Sequence, residues 1–119
     1  MKKENIIHVK TYAFALRVIK LYKHLTEEKK EYVLSKQVLR SGTAIGALVK
    51  ESEFAQSKAD FINKMHIALK EANETEYWLT LLKDSNYISE ESYTSIHPEI
   101  NEIISILVSI VKSTKANNS

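Results

Sequence analysis

From Arg40 to Leu82 the chain reads RSGTAIGALVKESEFAQSKADFINKMHIALKEANETEYWLTLL, a run whose apolar residues keep a helical period while the side chains first shrink and then grow again. Ser41, Gly42, Thr43, Ala44, Gly46 and Ala47 stand among Val38, Leu39, Ile45, Leu48 and Val49. A helix with so small a surface admits another backbone unusually close. Both glycines of the chain lie here, although each costs a helix interior roughly 1 kcal/mol against alanine, so close packing has to compensate. With one proline in the chain and no glycine elsewhere, the punctuation of a many-stranded protein is missing. The pattern predicts an all-α chain.

Apolar periodicity divides the sequence into four helices. The first is predicted from about Asn5 to Leu25, with one stripe at Ile7, Tyr12, Ala15, Leu16, Ile19 and Tyr22 and a second at Phe14, Val18, Leu21 and Leu25. One core needs only one stripe, so the surplus predicts a helix covered by its own bundle on one side and by a neighbouring subunit on another. The polar stretch Thr26 to Lys30 ends the pattern. Helix two follows, with Val33, Leu34, Val38, Ser41, Gly42, Ile45, Leu48, Val49 and Ser52 towards the core, and ends near Phe54 or Ala55. Ser57 with Asp60 three residues on is an N-cap signal for helix three. That helix is predicted to reach about Asp84 on a stripe of Phe61, Met65, Ala68, Leu69, Ala72, Thr75, Leu79 and Leu82. Ser89 caps helix four, with Glu90 and Glu91 in its first turn and Tyr93, Ile96, Ile100, Ile103, Ile104, Leu107, Ile110 and Val111 inward. Pro98 predicts a bend there or a separate short piece before it. The polar tail, residues 113–119, is expected to fray. Helices of this length joined by short turns predict one antiparallel up-down-up-down four-helix-bundle domain over residues 1–119.

At 119 residues, 44% of them hydrophobic, the chain can bury one core. The absence of cysteine excludes disulfides and thiolate chemistry. The N-terminal MKKENIIHVK lacks a signal peptide's apolar region, and no apolar run approaches the roughly 20 residues that span a bilayer. A cytoplasmic protein with no membrane contact is the expectation. The net charge of +2 hides an asymmetry, because residues 1–30 carry 8 basic and 3 acidic side chains while the remainder is net negative. Lys10, Arg17, Lys20, Lys23, Lys29 and Lys30 are therefore the candidate nucleic-acid-binding residues, with Lys2 and Lys3 at the edge. The alternative for these lysines is an ordinary solvated helix face.

No catalytic constellation is visible. Ser41 and Thr43 have no activating histidine nearby in sequence, no glycine-rich phosphate loop is present, and no cofactor is implied. Glu51, Glu71, Glu74, Glu76 and His66 lack the paired Glu-x-x-His pattern of a bundle metal centre, so no metal site is expected. Antiparallel packing of helices two and three about a turn near Ala55 brings Arg40 level with Glu71 and Glu74. An ion pair between the helices is expected there, the alternative being a phosphate contact by Arg40. The six tyrosines suit bundle edges, or base stacking where they adjoin lysine, as in Tyr22-Lys23.

Tyr32-Val33-Leu34 with Gln37, the run Arg40 to Ala47, Glu51, Gln56 to Phe61, Ile67 to Ala72, Glu74-Thr75 and Tyr77-Trp78-Leu79 together resemble the small four-helix-bundle proteins encoded within intervening sequences of bacterial 23S ribosomal RNA genes, also called S23 ribosomal proteins. Where Leu48 stands here, that family commonly has asparagine. The resemblance implies no catalytic residues. Through relatives that act as accessory proteins of diversity-generating retroelements, it implies a barrel-like homopentamer that binds nucleic acid and associates with a reverse transcriptase. Two functions follow as expectations: a non-enzymatic oligomer that binds RNA or other nucleic acid through its basic first helix, or a protein-binding scaffold that touches no nucleic acid.

Overall fold

A computed structural model describes residues 3–117 and contains four α-helices, with no strand among the described residues. Helix α1 spans Lys3–Glu27, α2 Leu34–Ser52, α3 Lys58–Asp84 and α4 Glu90–Ala116. Each helix packs against the next in the chain, and α4 closes back on α1. The contacts descend on one helix as they ascend on its neighbour: Val18 faces Gly42 and Thr11 faces Gly46, Ser41 bonds Thr75 and Glu51 bonds Lys64, and Thr80 meets Tyr93 and Glu76 meets His97. The protein is an antiparallel up-down-up-down four-helix bundle, 50 × 23 × 22 Å.

Helix ends follow local chemistry. The Ser57 side chain accepts from the Asp60 amide at 3.0 Å, while the Asp60 carboxylate accepts from the Gln56 amide at 3.1 Å. Ser89 likewise accepts from the Ser92 amide at 3.0 Å. Helix α2 starts differently. Its N-cap Val33 offers no polar side chain, and the capping is done from two residues upstream by Glu31. That buried carboxylate accepts from the amides of Val33, Leu34 and Ser35 at 3.2, 2.9 and 2.7 Å, and the Ser35 hydroxyl donates to the Glu31 carbonyl at 2.8 Å. Val33, placed with the core by periodicity, is 70% exposed as a result. Helix α4 runs uninterrupted through Pro98, which rules out a separate piece before it. It extends to Ala116, with the Thr114 hydroxyl bonded to the Ile110 carbonyl at 2.7 Å and Lys58 Nζ to the Asn117 carbonyl at 2.8 Å; residues 118–119 of the polar tail lie outside the described residues.

The core is a single cluster drawn from all four helices, including Ile7, Phe14, Val18, Val38, Ile45, Met65, Leu79, Leu82, Ile100 and Leu107. Leu48 is half-buried against it, so the apolar residue at that position packs as an added core contact. The small-residue segment does what its composition foretold. Gly42 lets α1 press onto α2: a Cβ there would lie 2.8 Å from a Val18 methyl carbon, whereas one on Gly46 would make an ordinary contact, 3.4 Å from the Thr11 carbonyl oxygen. On the other side of α2, the buried Ser41 and Thr75 hydroxyls bond each other at 2.8 Å.

Arg40 joins α2 to α3, contacting Glu71 at 3.2 Å and also Glu74, whose carboxylate accepts from the Trp78 indole at 3.0 Å. The expected ion pair is present. Arg40 is half exposed, so Arg40→Ala is expected to cost only about 0.5–1 kcal/mol in urea unfolding.

Candidate nucleic-acid interface

With about 100° between successive residues, the face of α1 carrying Ile7, Thr11, Phe14, Val18 and Leu25 turns into the core, where all five are buried. The opposite face carries Val9, Tyr12, Leu16 and Ile19, of which Tyr12 is 69% and Leu16 53% exposed. Helix α1 thus has two apolar faces, as its surplus of apolar residues foretold. The membership differs, however: Ile7 belongs to the inner face, and Tyr12, Leu16 and Ile19, which shared its predicted stripe, form the outer one with Val9.

The six candidate cations do not form one surface. Lys10 lies 2.9 Å from Glu102 of α4. Arg17 reaches the Glu99 carboxylate, the Ser95 carbonyl at 3.2 Å and the Ser95 hydroxyl at 3.1 Å. These two side chains fasten α1 to α4, and opposite charge offsets theirs. Lys20, Lys23, Lys29 and Lys30 are exposed and make no ion pair among the described residues. They gather at the end of the bundle where the α1–α2 and α3–α4 turns lie side by side. Lys30 holds a left-handed backbone (φ 55°) in the first turn and Asn86 (φ 68°) in the second. Lys2, and the side chain of Lys3, lie outside the described residues.

At this end a cleft of about 630 Å³ opens between α1 and the start of α4. Helix α1 contributes Arg17, Lys20, Leu21 and His24 to its walls, and Lys29 adds a cation from the turn. Opposite stand Lys83, Asn86 and Tyr87 from the end of α3 and the turn after it, then the N-cap Ser89 and Glu90, Ser92 and Ile96 of α4. Lys20 and Lys29 outnumber the single lining carboxylate, Glu90, Arg17 and Lys83 being paired with Glu99 and Asp84, and the first turn of α4 adds the partial positive charge of a helix N-terminus. Anionic ligands are the class such a wall attracts. His24 and Lys83 are not among the cations that charge composition singles out, and Tyr87 stands in the sequence only as one of six tyrosines. The signal was topological: an up-down-up-down bundle places its first and third turns at one end.

The remaining chemistry-bearing residues serve packing. Glu51 pairs with Lys64, Glu76 with His97, and Glu71 and Glu74 with Arg40, while His66 is exposed. No group of three or more metal-ligating side chains occurs among the described residues. No helix among them is long and apolar enough to cross a membrane.

The family model for 23S rRNA-intervening sequence proteins matches residues 3–109. The fold also superposes, with a TM-score of 0.92, on the crystal structure of a protein of unknown function from the S23 ribosomal protein family of Bacteroides thetaiotaomicron; the two are 57% identical over 93% of this chain and 99% of that one. Comparison with curated proteins found no match. Helix pattern, small-residue segment, bundle topology and sequence similarity over nearly the whole chain agree: the protein belongs to the 23S rRNA-intervening sequence protein family.

Proposed function

We propose that the protein is a non-enzymatic, self-associating cytoplasmic bundle that binds RNA or other nucleic acid through the basic end of α1, with no cofactor or metal taking part. The observation that carries this reading is the division among the cations. Lys10 and Arg17 are matched by Glu102 and Glu99, whereas Lys20, Lys23, Lys29 and Lys30 are exposed and make no ion pair among the described residues. Phosphate contacts by such residues release counterions and supply affinity without reading sequence. Self-association is supported by the outer face of α1, where Val9, Tyr12, Leu16 and Ile19 form a continuous exposed apolar stripe of the kind that marks interaction surfaces. The homopentamer implied by the family resemblance would repeat the basic end around a ring.

The same stripe supports a second reading, a scaffold that docks a protein partner and leaves nucleic acid to that partner. Charge reversal separates the two. The double variant Lys20→Glu, Lys29→Glu is expected to weaken binding to a structured RNA by at least about tenfold in fluorescence anisotropy, with the mass in light scattering unchanged. Unchanged binding by the variant would favour the scaffold.

A further inference from the structure

We propose that the cleft between α1 and the α3–α4 turn seats one unpaired nucleotide of a bound strand, so that the protein favours single-stranded or looped RNA over continuous duplex. This rests on the nucleic-acid reading above and narrows it. The cleft's volume of about 630 Å³ falls within the roughly 300–1,000 Å³ of pockets that enclose small ligands. Its walls divide by chemistry. Lys20 and Lys29 bring exposed ammonium groups with no ion pair among the described residues, whereas Lys83 is already drawn to Asp84 at 3.5 Å and to the Tyr93 ring at 4.5 Å. Leu21, Tyr87 and Ile96 supply apolar wall, with Ile96 almost fully buried and the other two half-buried.

A nucleotide divides the same way, into an anionic phosphate and a flat base with an apolar face. Inorganic phosphate would satisfy the lysines and leave the apolar wall wet. A duplex keeps its bases stacked and offers a concave site only phosphate and sugar, so filling the cleft would require a base to leave its pair. An unpaired base enters without that cost and can rest on the tyrosine.

The test compares a short unstructured oligoribonucleotide with a fully paired RNA duplex of equal length, in the same salt, by fluorescence anisotropy. Ser92, exposed on the first turn of α4, lines the cleft, and Ser92→Leu narrows it with an aliphatic side chain that offers no stacking surface and no change of charge. The unmodified protein is expected to bind the single strand at least about tenfold tighter than the duplex. Ser92→Leu is expected to erase that preference while duplex affinity stays the same. Lys29→Ala, in the turn and away from helix packing, provides a second variant and is expected to weaken single-strand binding more than duplex binding. Equal affinity for both RNAs, unmoved by either variant, overturns the cleft and leaves the broader reading standing. Absence of binding to either RNA at low salt removes the nucleic-acid reading, and this inference with it.

Discussion

Gly42→Leu is expected to lower stability by about 3 kcal/mol or more, at the upper end of what overpacking a core costs. The reason is local. A single Cβ at this position would sit 2.8 and 2.9 Å from the two Val18 methyl carbons, and Val18 is fully buried. Its branched side chain is stiff about χ1 and cannot swing aside. Gly42→Ala gains roughly 1 kcal/mol of helix propensity and still comes out destabilising by about 1 kcal/mol, because even one carbon pushes α1 off α2. Gly46→Ala should behave in the opposite way. There the added carbon meets the Thr11 carbonyl at 3.4 Å, an ordinary contact, so the change is expected to be neutral or stabilising by up to about 1 kcal/mol. Urea unfolding of the two alanine variants checks the contrast. In a Val18→Ala background the cost of Gly42→Ala should vanish, and an equal cost in both backgrounds would contradict the assignment of the clash.

Glu31→Ala is expected to cost about 2–3 kcal/mol, since it leaves three amides at the start of α2 without their charged acceptor. Burial pushes the Glu31 carboxyl pKa up, but the donations from Leu34, Ser35 and Val33 outweigh it and hold the value below that of an ordinary glutamate. The sign of the pH dependence follows. With the folded-state pKa depressed, the cap contributes fully at neutral pH and down to the unfolded value of about 4.3; its contribution is lost as pH falls further, through the folded value. Urea midpoints measured from pH 7 downward should therefore converge for the parent protein and Glu31→Gln in acid. A gap that stays constant would mean that the carboxylate is not the cap.

The bundle was legible because its signals were local and redundant. Apolar period, the Ser57 and Ser89 caps and the level of Arg40 against Glu71 and Glu74 each depend on spacing within one helix or across one short turn. The misses depended on longer relations. Val33 fits the apolar period of helix two, yet the chain is still in the turn at Val33, held there by a carboxylate two residues earlier. Helix α1 was read as two stripes correctly in number, but deciding which residues turn outward requires knowing where α2 and α4 lie. The candidate cations show the same limit. Composition located the charge in residues 1–30, while only the packing of α4 reveals that Glu99 and Glu102 meet Arg17 and Lys10 and that Lys83 comes to the same cleft as Lys20 and Lys29.

These relations tie fold to proposed function. The α1–α2 seam is closed tightly by glycine, the α1–α4 seam is bridged by two ion pairs along its length, and the latter opens into a basic cleft at the turn end. The close seam leaves the outer apolar face of α1 free for association, and the open one leaves lysines free for phosphate.

The most direct measurement is the affinity of the unmodified protein for a structured RNA across a salt series, with the oligomeric mass determined in each buffer. If the exposed lysines Lys20, Lys23, Lys29 and Lys30 carry binding, log affinity should fall linearly with log salt, with a slope near −0.7 to −0.9 for each phosphate contacted and the assembly intact throughout. An intact assembly that fails to bind RNA even at low salt would contradict the account.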